Sequence, residues 1–143
     1  RSAVGPLERV CKFCYLGDII EEEGGADGAI AGRISKGWGK LKVLALLLQS
    51  RSVSIGIKGK LYTACVRSCM LYGSETWAVT VEGQRRMERT EMQMVRSMCG
   101  VKMKDRISGE SLRKSMGIEG ITDVMRRGRL RCYGHVERKD DTE

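Results

Sequence analysis

The stretch from Asp27 to Leu48, DGAIAGRISKGWGKLKVLALLL, decides the fold class of this chain. Its apolar side chains Ile30, Ile34, Trp38, Leu41, Ala45 and Leu48 recur at spacings of three and four, the period of a helix. Arg33, Lys36 and Lys40 fall on the opposite side at about 100° per residue, so the pattern predicts an amphipathic helix with a basic face. Asp27 is the expected N-cap. Gly37 and Gly39 each weaken such a helix by about 1 kcal/mol relative to alanine.

On the N-terminal side, Gly5-Pro6 opens a turn. The aromatic and β-branched run Val10 to Ile20 then reads as a strand or hairpin, broken by Glu21-Glu22-Glu23-Gly24-Gly25. On the C-terminal side, Ser50 to Ser54 is a linker, and a second helix is expected from about Ile57 to Trp77. It has two apolar faces, Leu61, Ala64, Cys65, Ser68, Cys69 and Tyr72 on one and Tyr62, Val66 and Met70 on the other. That pattern suits a central, well-buried helix. A third helix begins at the N-cap Thr80, turns Met87, Met94, Val95 and Met98 inward, and stops at Gly100. Arg85, Arg89 and Arg96 share another of its faces. After the charged connection Lys102 to Arg106, Ser108 caps a short helix ending at Gly117. Thr122 is the expected cap of the last helix, which carries Arg126, Arg127, Arg129 and Arg131. The fold class is therefore mainly α, a helical bundle with a small N-terminal β-hairpin.

The 143 residues include 26 Lys and Arg against 18 Asp and Glu, a net charge of +8. Residues 1–26 carry −2, residues 27–100 carry +7 and the remainder +3, so the positive field lies after residue 26. Such an excess favours polyanionic partners. No uncharged apolar run approaches the roughly 20 residues that span a bilayer. The start resembles no signal peptide, and without an initiator Met the sequence reads as a fragment or partial reading frame. The six cysteines fall within apolar patterns, which suggests free thiols in a reducing compartment.

Several groupings invite chemistry. Cys11-x-x-Cys14 with Cys132-x-x-His135 could supply two zinc-ligand pairs. The first pair brackets a strand pattern and the second lies on a helix far along the chain, so packed, unligated thiols are the preferred reading. Cys65 and Cys69, one helical turn apart, read as core. His135 could act as a base beside a cysteine, yet no Asn or Asp stands at a recognisable offset to orient it. Asp140-Asp141 is an acidic dyad in a terminal tail, where nothing fixes it for two-metal chemistry. The basic faces carry more meaning, because Lys and Arg recurring on several helices can follow a phosphate backbone with little base specificity.

A family resemblance rests on several motifs in one order. Phe13-Cys14-Tyr15-Leu16-Gly17, followed by an acidic, Gly-rich turn, resembles the segment that closes the palm of LINE-type non-LTR retrotransposon reverse transcriptases. Leu71-Tyr72-Gly73-Ser74-Glu75-Thr76-Trp77 is similar to a hallmark of the region downstream. Arg86-Met87-Glu88-Arg89, Met94-Val95-Arg96, Met98-Cys99-Gly100, Lys104-Asp105-Arg106-Ile107 and Arg129-Leu130-Arg131-Cys132-Tyr133-Gly134-His135-Val136 continue it. The chain departs from the family at Cys14, where Lys is common, at Cys132, where Trp is usual, and at the helix-interrupting Gly37, Gly39, Gly83, Gly109 and Gly128.

The resemblance implies a palm-end β-hairpin remnant over residues 1–25, a thumb-like helical bundle over 26–100 and a basic helical C-terminal segment over 101–143. It implies an RNA/DNA template–primer duplex as partner, together with the missing fingers and palm of a parent RNA-directed DNA polymerase. The Tyr-x-Asp-Asp motif of that palm is absent from this sequence, so no catalytic centre and no cofactor are expected in this chain, and Mg2+ only in the palm. No membrane and no small-molecule substrate are expected. The implied location is intracellular, in a nuclear or cytoplasmic ribonucleoprotein. Phe13, Tyr15 and Gly17 are the residues expected near the primer end. Arg33, Lys36, Lys40, Arg126, Arg127, Arg129 and Arg131 are those expected on the nucleic-acid backbone. The alternatives are a non-functional retroelement relic, or a structural helical module without a ligand.

Overall fold

The computed structural model describes residues 9–15, 18–22 and 25–140. It is mainly α, with an antiparallel two-stranded hairpin at its N-terminal end. Strands β1 (Lys12–Tyr15) and β2 (Asp18–Glu21) pair Phe13 with Ile20 and Lys12 with Glu21, whose charged atoms lie 3.0 Å apart. Strand alternation leaves Phe13, Tyr15 and Ile20 exposed and turns Ile19 onto helix α1 (Asp27–Val43).

Helix α1 buries Ala29, Ile30 and Leu41, in line with its period. The cap position falls on Ala26, which has no side-chain oxygen. Asp27 is instead the first helical residue, where its charge faces the positive end of the helix dipole. The helix does not run unbroken to Leu48. It ends at Val43 with Leu44 as its cap, and a four-residue helix α2 (Ala45–Leu48) returns Leu48 to the core. Gly37 is buried at a close approach: a Cβ there would stand 2.5 Å from Met70 Cγ. The missing side chain is what allows α1 to pack on α4 (Ser68–Leu71), which offsets the propensity cost.

The second helical stretch starts with α3 (Ile55–Leu61), where the Ser54 hydroxyl accepts from the Ile57 amide. It continues through a π-helical turn, Tyr62–Arg67, into α4 and ends at Leu71, six residues before Trp77. Gly73 takes the left-handed conformation (φ 75°) that stops it, and Ser74–Thr76 form a 3-10 turn. Only one of its two apolar faces is core. Tyr62, Val66 and Met70 are fully buried, whereas Ala64, Ser68 and Tyr72 are exposed and Cys65 and Cys69 half-buried, because among the described residues no element covers that side.

Helix α5 (Val81–Cys99) runs from the Thr80 cap to Gly100 and buries Met87, Met94, Val95 and Met98. Helix α6 (Gly109–Met116) runs from the Ser108 cap to Gly117, both glycine stops being left-handed. Helix α7 (Ile121–Asp140) contributes Ile121 and Met125 to the same core cluster. Thr122 is not its cap. The Thr122 hydroxyl donates to Glu88 at 3.0 Å, and the first amide of the helix is satisfied from elsewhere.

That partner is Glu91, a fully buried carboxylate on α5. One of its oxygens accepts from the Tyr62 hydroxyl at 2.9 Å and from Arg67 Nε at 3.0 Å. The other accepts from the Ile121 amide at 2.9 Å. Arg67 also donates to the Glu119 carbonyl. In an α-helix, residues five apart point roughly 140° away from each other. The π turn closes that gap, so Tyr62 and Arg67 meet one carboxylate, with the guanidinium 5.4 Å from the Tyr62 ring. Burial and the neighbouring Glu91 push the Tyr62 phenol well above its ordinary range.

Removing Glu91 leaves Arg67 as a buried, uncompensated charge. Urea unfolding of Glu91→Ala should show a loss of about 3–5 kcal/mol, and a loss below about 1 kcal/mol would contradict this assignment. Tyr62 contributes stability that is complete below the phenol's ordinary 10.0 and is lost as pH climbs above it. Tyr62→Phe should cost about 1 kcal/mol near neutrality and flatten the alkaline decline in Tm. The two α1 glycines should respond oppositely. Gly39, with nothing within 4 Å of an added Cβ, should gain up to about 1 kcal/mol as Gly39→Ala. Gly37→Ala should lose about 1–3 kcal/mol by overpacking against Met70. Matching shifts in the two variants would refute the close approach.

Candidate nucleic-acid interface

Some of the expected contact residues share cavities with the segment Leu71–Trp77. A cavity of about 940 Å³ lies among the hairpin, the start of α1 and this segment, with Tyr15, Ile20, Leu71, Tyr72, Glu75 and Trp77 in its wall. Trp77 is nearly buried and its Nε1 has no hydrogen-bond partner among the described residues. Tyr72 also closes a second groove, of about 680 Å³, between α1 and the exposed side of the π turn and α4. Arg33, Lys36 and Lys40 line one wall of it, and Cys65 and Cys69 the other. Leu71 and Glu75 border a third niche, about 320 Å³, with Arg127 and Arg131 of α7. One short turn thus borders the same spaces as Tyr15 of the hairpin, the α1 basic row and part of the α7 arginine set.

The individual residues fare differently. Phe13 and Tyr15 are both exposed and their rings stack with centroids 6.4 Å apart, a surface on which a base can lie. Gly17 lies outside the described residues. Arg33 is not a solvent-facing phosphate contact: it is 5% exposed, with its guanidinium 4.8 Å over the Tyr72 ring. Helix α1 packs on α4 closely enough to enclose its stem, so Arg33 belongs to the floor of the groove. Lys36 and Lys40 are exposed on its rim.

The α7 arginines do not form one face. At about 100° per residue, Arg126, Arg127, Arg129 and Arg131 are spread around the helix. Arg127 is engaged by Glu119, with Nη1 3.3 Å from Oε1, and this hydrogen bond holds the Glu119 carboxyl below its usual range. Both groups are fully exposed, so salt screens the pair. Arg129 is half-buried, with Nε and one terminal nitrogen lacking a partner among the described residues. Arg126 and Arg131 are exposed. Among the described residues no carboxylate pairs with Lys40, Arg126 or Arg131.

Comparison with protein-family models, with curated proteins and with solved structures gave no match.

The thiols expected to be packed are only partly so. All six cysteines are free, but Cys11, Cys14 and Cys132 are exposed, because among the described residues no element covers the outer hairpin strand or the far half of α7. His135 is likewise exposed on α7. Among the described residues, no three His, Cys, Asp or Glu side chains are placed to hold a metal ion, and no helix is long and apolar enough to cross a membrane.

Three charged residues escaped the reading of the pattern: Lys58, Arg67 and Glu91, all buried. Lys58 Nζ donates to the Met98 carbonyl at 3.0 Å. A signal existed for Glu91, which stands on the same stripe as Met87, Met94 and Met98 and therefore had to meet a partner inside.

The different placements of Arg33 and Lys40 give a test on the unliganded chain. Arg33→Ala should lower the unfolding free energy by about 2 kcal/mol through lost stacking and stem packing. Lys40→Ala should stay within about 0.5 kcal/mol of the parent. Equal effects would contradict the buried position of Arg33.

Proposed function

We propose that this chain is the palm-end, thumb-like and downstream region of a LINE-type non-LTR retrotransposon reverse transcriptase. In this reading it grips an RNA/DNA template–primer duplex and contributes no catalytic centre of its own. The order of motifs from Phe13 to Val136 supports the family, and the α1 groove supports the grip. The carrying observation is the placement of Arg33, Lys36 and Lys40 along one wall of an open groove. Such a wall attracts a phosphodiester strand and releases its counterions on contact. Arg33 braced on Tyr72 shapes the floor, and Lys36 and Lys40 stand exposed at the rim.

Tyr15, stacked on Phe13, lines the same cavity as the Leu71–Trp77 turn, and the aromatic pair suits the terminal base of a primer. Arg126 and Arg131 extend the positive surface along α7. Fingers, palm and the palm's Mg2+ would be supplied by the rest of the polymerase. A decayed relic draws on the interrupting glycines; Gly37, Gly83 and Gly109 each sit against a neighbouring Met or Ile side chain, whereas nothing in the packing calls for glycine at Gly39 or Gly128.

Titrating a labelled RNA–DNA hybrid over a salt series tests the grip. The affinity should fall steeply with salt, and Lys40→Gln or Arg131→Gln should weaken binding on every sequence while reducing the slope of log K against log salt by about one. Arg127→Gln, already paired with Glu119, should change the slope less. A flat salt response, or no binding at low salt, would overturn the proposal.

A further inference from the structure

The end of α1 and the short helix α2 leave an apolar corner on the surface. Leu46 is 91% exposed, and Val43 and Leu47 are open with it. Their spacings of three and four put them on one side of a helical path, which the amides of Leu44 and Leu48 carry on by donating to the Lys40 and Leu44 carbonyls. The other side of α2 is fastened. Leu48 is fully buried, and Gln49 Nε2 donates to Ser97 Oγ at 2.9 Å. The corner is therefore held on the body with its aliphatic side chains outward, and among the described residues nothing covers them.

The charge around it has one sign. From Gly28 to Ser74 the sequence contains no Asp or Glu. Lys42 stands one turn before Leu46, and Arg51 follows α2. Both are exposed, and among the described residues no carboxylate pairs with either. Four covers fit this corner unequally. A nucleic-acid backbone would take the cations and leave the aliphatic tip in water. A second copy on a two-fold axis would set Lys42 and Arg51 of one chain against those of the other. Protein contacts are anchored mostly by Trp, Tyr or Arg, and Leu and Val are under-represented in them. An anionic bilayer takes both features, because its headgroups attract the cations and its acyl boundary receives aliphatic side chains without a shaped pocket.

We propose that the α1–α2 corner is a peripheral docking site for anionic lipid membranes. Leu46 and Leu47 enter the boundary between headgroups and acyl chains, and Lys42 and Arg51 lie among the headgroups. The contact runs along the bilayer surface and needs no helix that crosses it, so a peripheral contact replaces the expectation of no membrane partner. It does not rest on the duplex reading, since Leu46 and Leu47 border neither the basic groove, the hairpin cavity nor the α7 niche.

The test is co-sedimentation of the full chain, without nucleic acid, with vesicles of phosphatidylserine and phosphatidylcholine in equal parts. Vesicles of phosphatidylcholine alone are the reference. At about 0.1 M salt the chain should partition onto the mixed vesicles at least roughly tenfold more strongly than onto the reference. Leu46→Gln should weaken that partitioning roughly tenfold, through loss of the inserted side chain. Lys42→Gln should weaken it roughly fivefold. Met103→Gln, at a widely exposed apolar position in the connection between α5 and α6, should leave it unchanged. All three positions are exposed, so unchanged melting curves are expected and confirm that the variants fold. No binding to the mixed vesicles, or equal binding to the reference, overturns the proposal. Loss on Lys42→Gln with none on Leu46→Gln also overturns it, because the attraction is then that of any polycation. An equal loss in Met103→Gln does the same. A dimer seen by sedimentation velocity and abolished by Leu46→Gln would assign the corner to a second copy and overturn the membrane site.

Discussion

The Glu91 carboxylate is the point on which three helical segments of this molecule agree. It is fully buried, yet its hydrogen-bond partners come from the π turn, through Tyr62 and Arg67, and from the start of α7, through the Ile121 amide. A charge placed there tolerates few alternatives, because a buried ion is stable only when paired and hydrogen-bonded. The register of the π turn, the distance between α5 and α7 and the entry of α7 are all tied to that requirement. Once they are set, α4 lies against α1 at Gly37, and the exposed side of the π turn becomes a wall of the basic groove.

The positive charge of the chain is thus divided between two physical tasks. Arg67 and Lys58 are consumed inside, on Glu91 and the Met98 carbonyl, and Arg33 lies in the groove floor against Tyr72. Lys36, Lys40, Arg126 and Arg131 stay at the surface, where they can act at a distance on an anionic partner. The Leu71–Trp77 turn links these tasks, since its residues border the hairpin cavity, the basic groove and the α7 niche alike.

What could be read from the pattern follows the range of the interactions. Thr80, Ser108, Gly100 and Gly117 mark helix ends by chemistry confined to a few neighbours, and each stands where its residue type predicts. The hairpin and the apolar stripe of α1 are equally local. The start of α7 was not legible, because its amide is satisfied by a carboxylate 30 residues earlier. The π turn was not legible either, since it exists to bring Tyr62 and Arg67 to one distant acceptor. Arg33 looked like a surface cation because periodicity shows which side of a helix is polar and not what later packs over it. The same limit hid the groove: a second apolar-looking face with Cys65 and Cys69 reads as core until the structure leaves it uncovered.

The proposed grip on a duplex predicts where an RNA–DNA hybrid touches the molecule. Lysine acetylation with a water-soluble reagent, mapped by mass spectrometry with and without a bound RNA–DNA hybrid, addresses this directly. Lys36 and Lys40 should be the most strongly protected lysines, while Lys60 and Lys114, beside a separate hollow between α3 and α6, should acetylate as in the free chain. Protection centred on Lys60 and Lys114, or spread evenly over all surface lysines, would contradict the account.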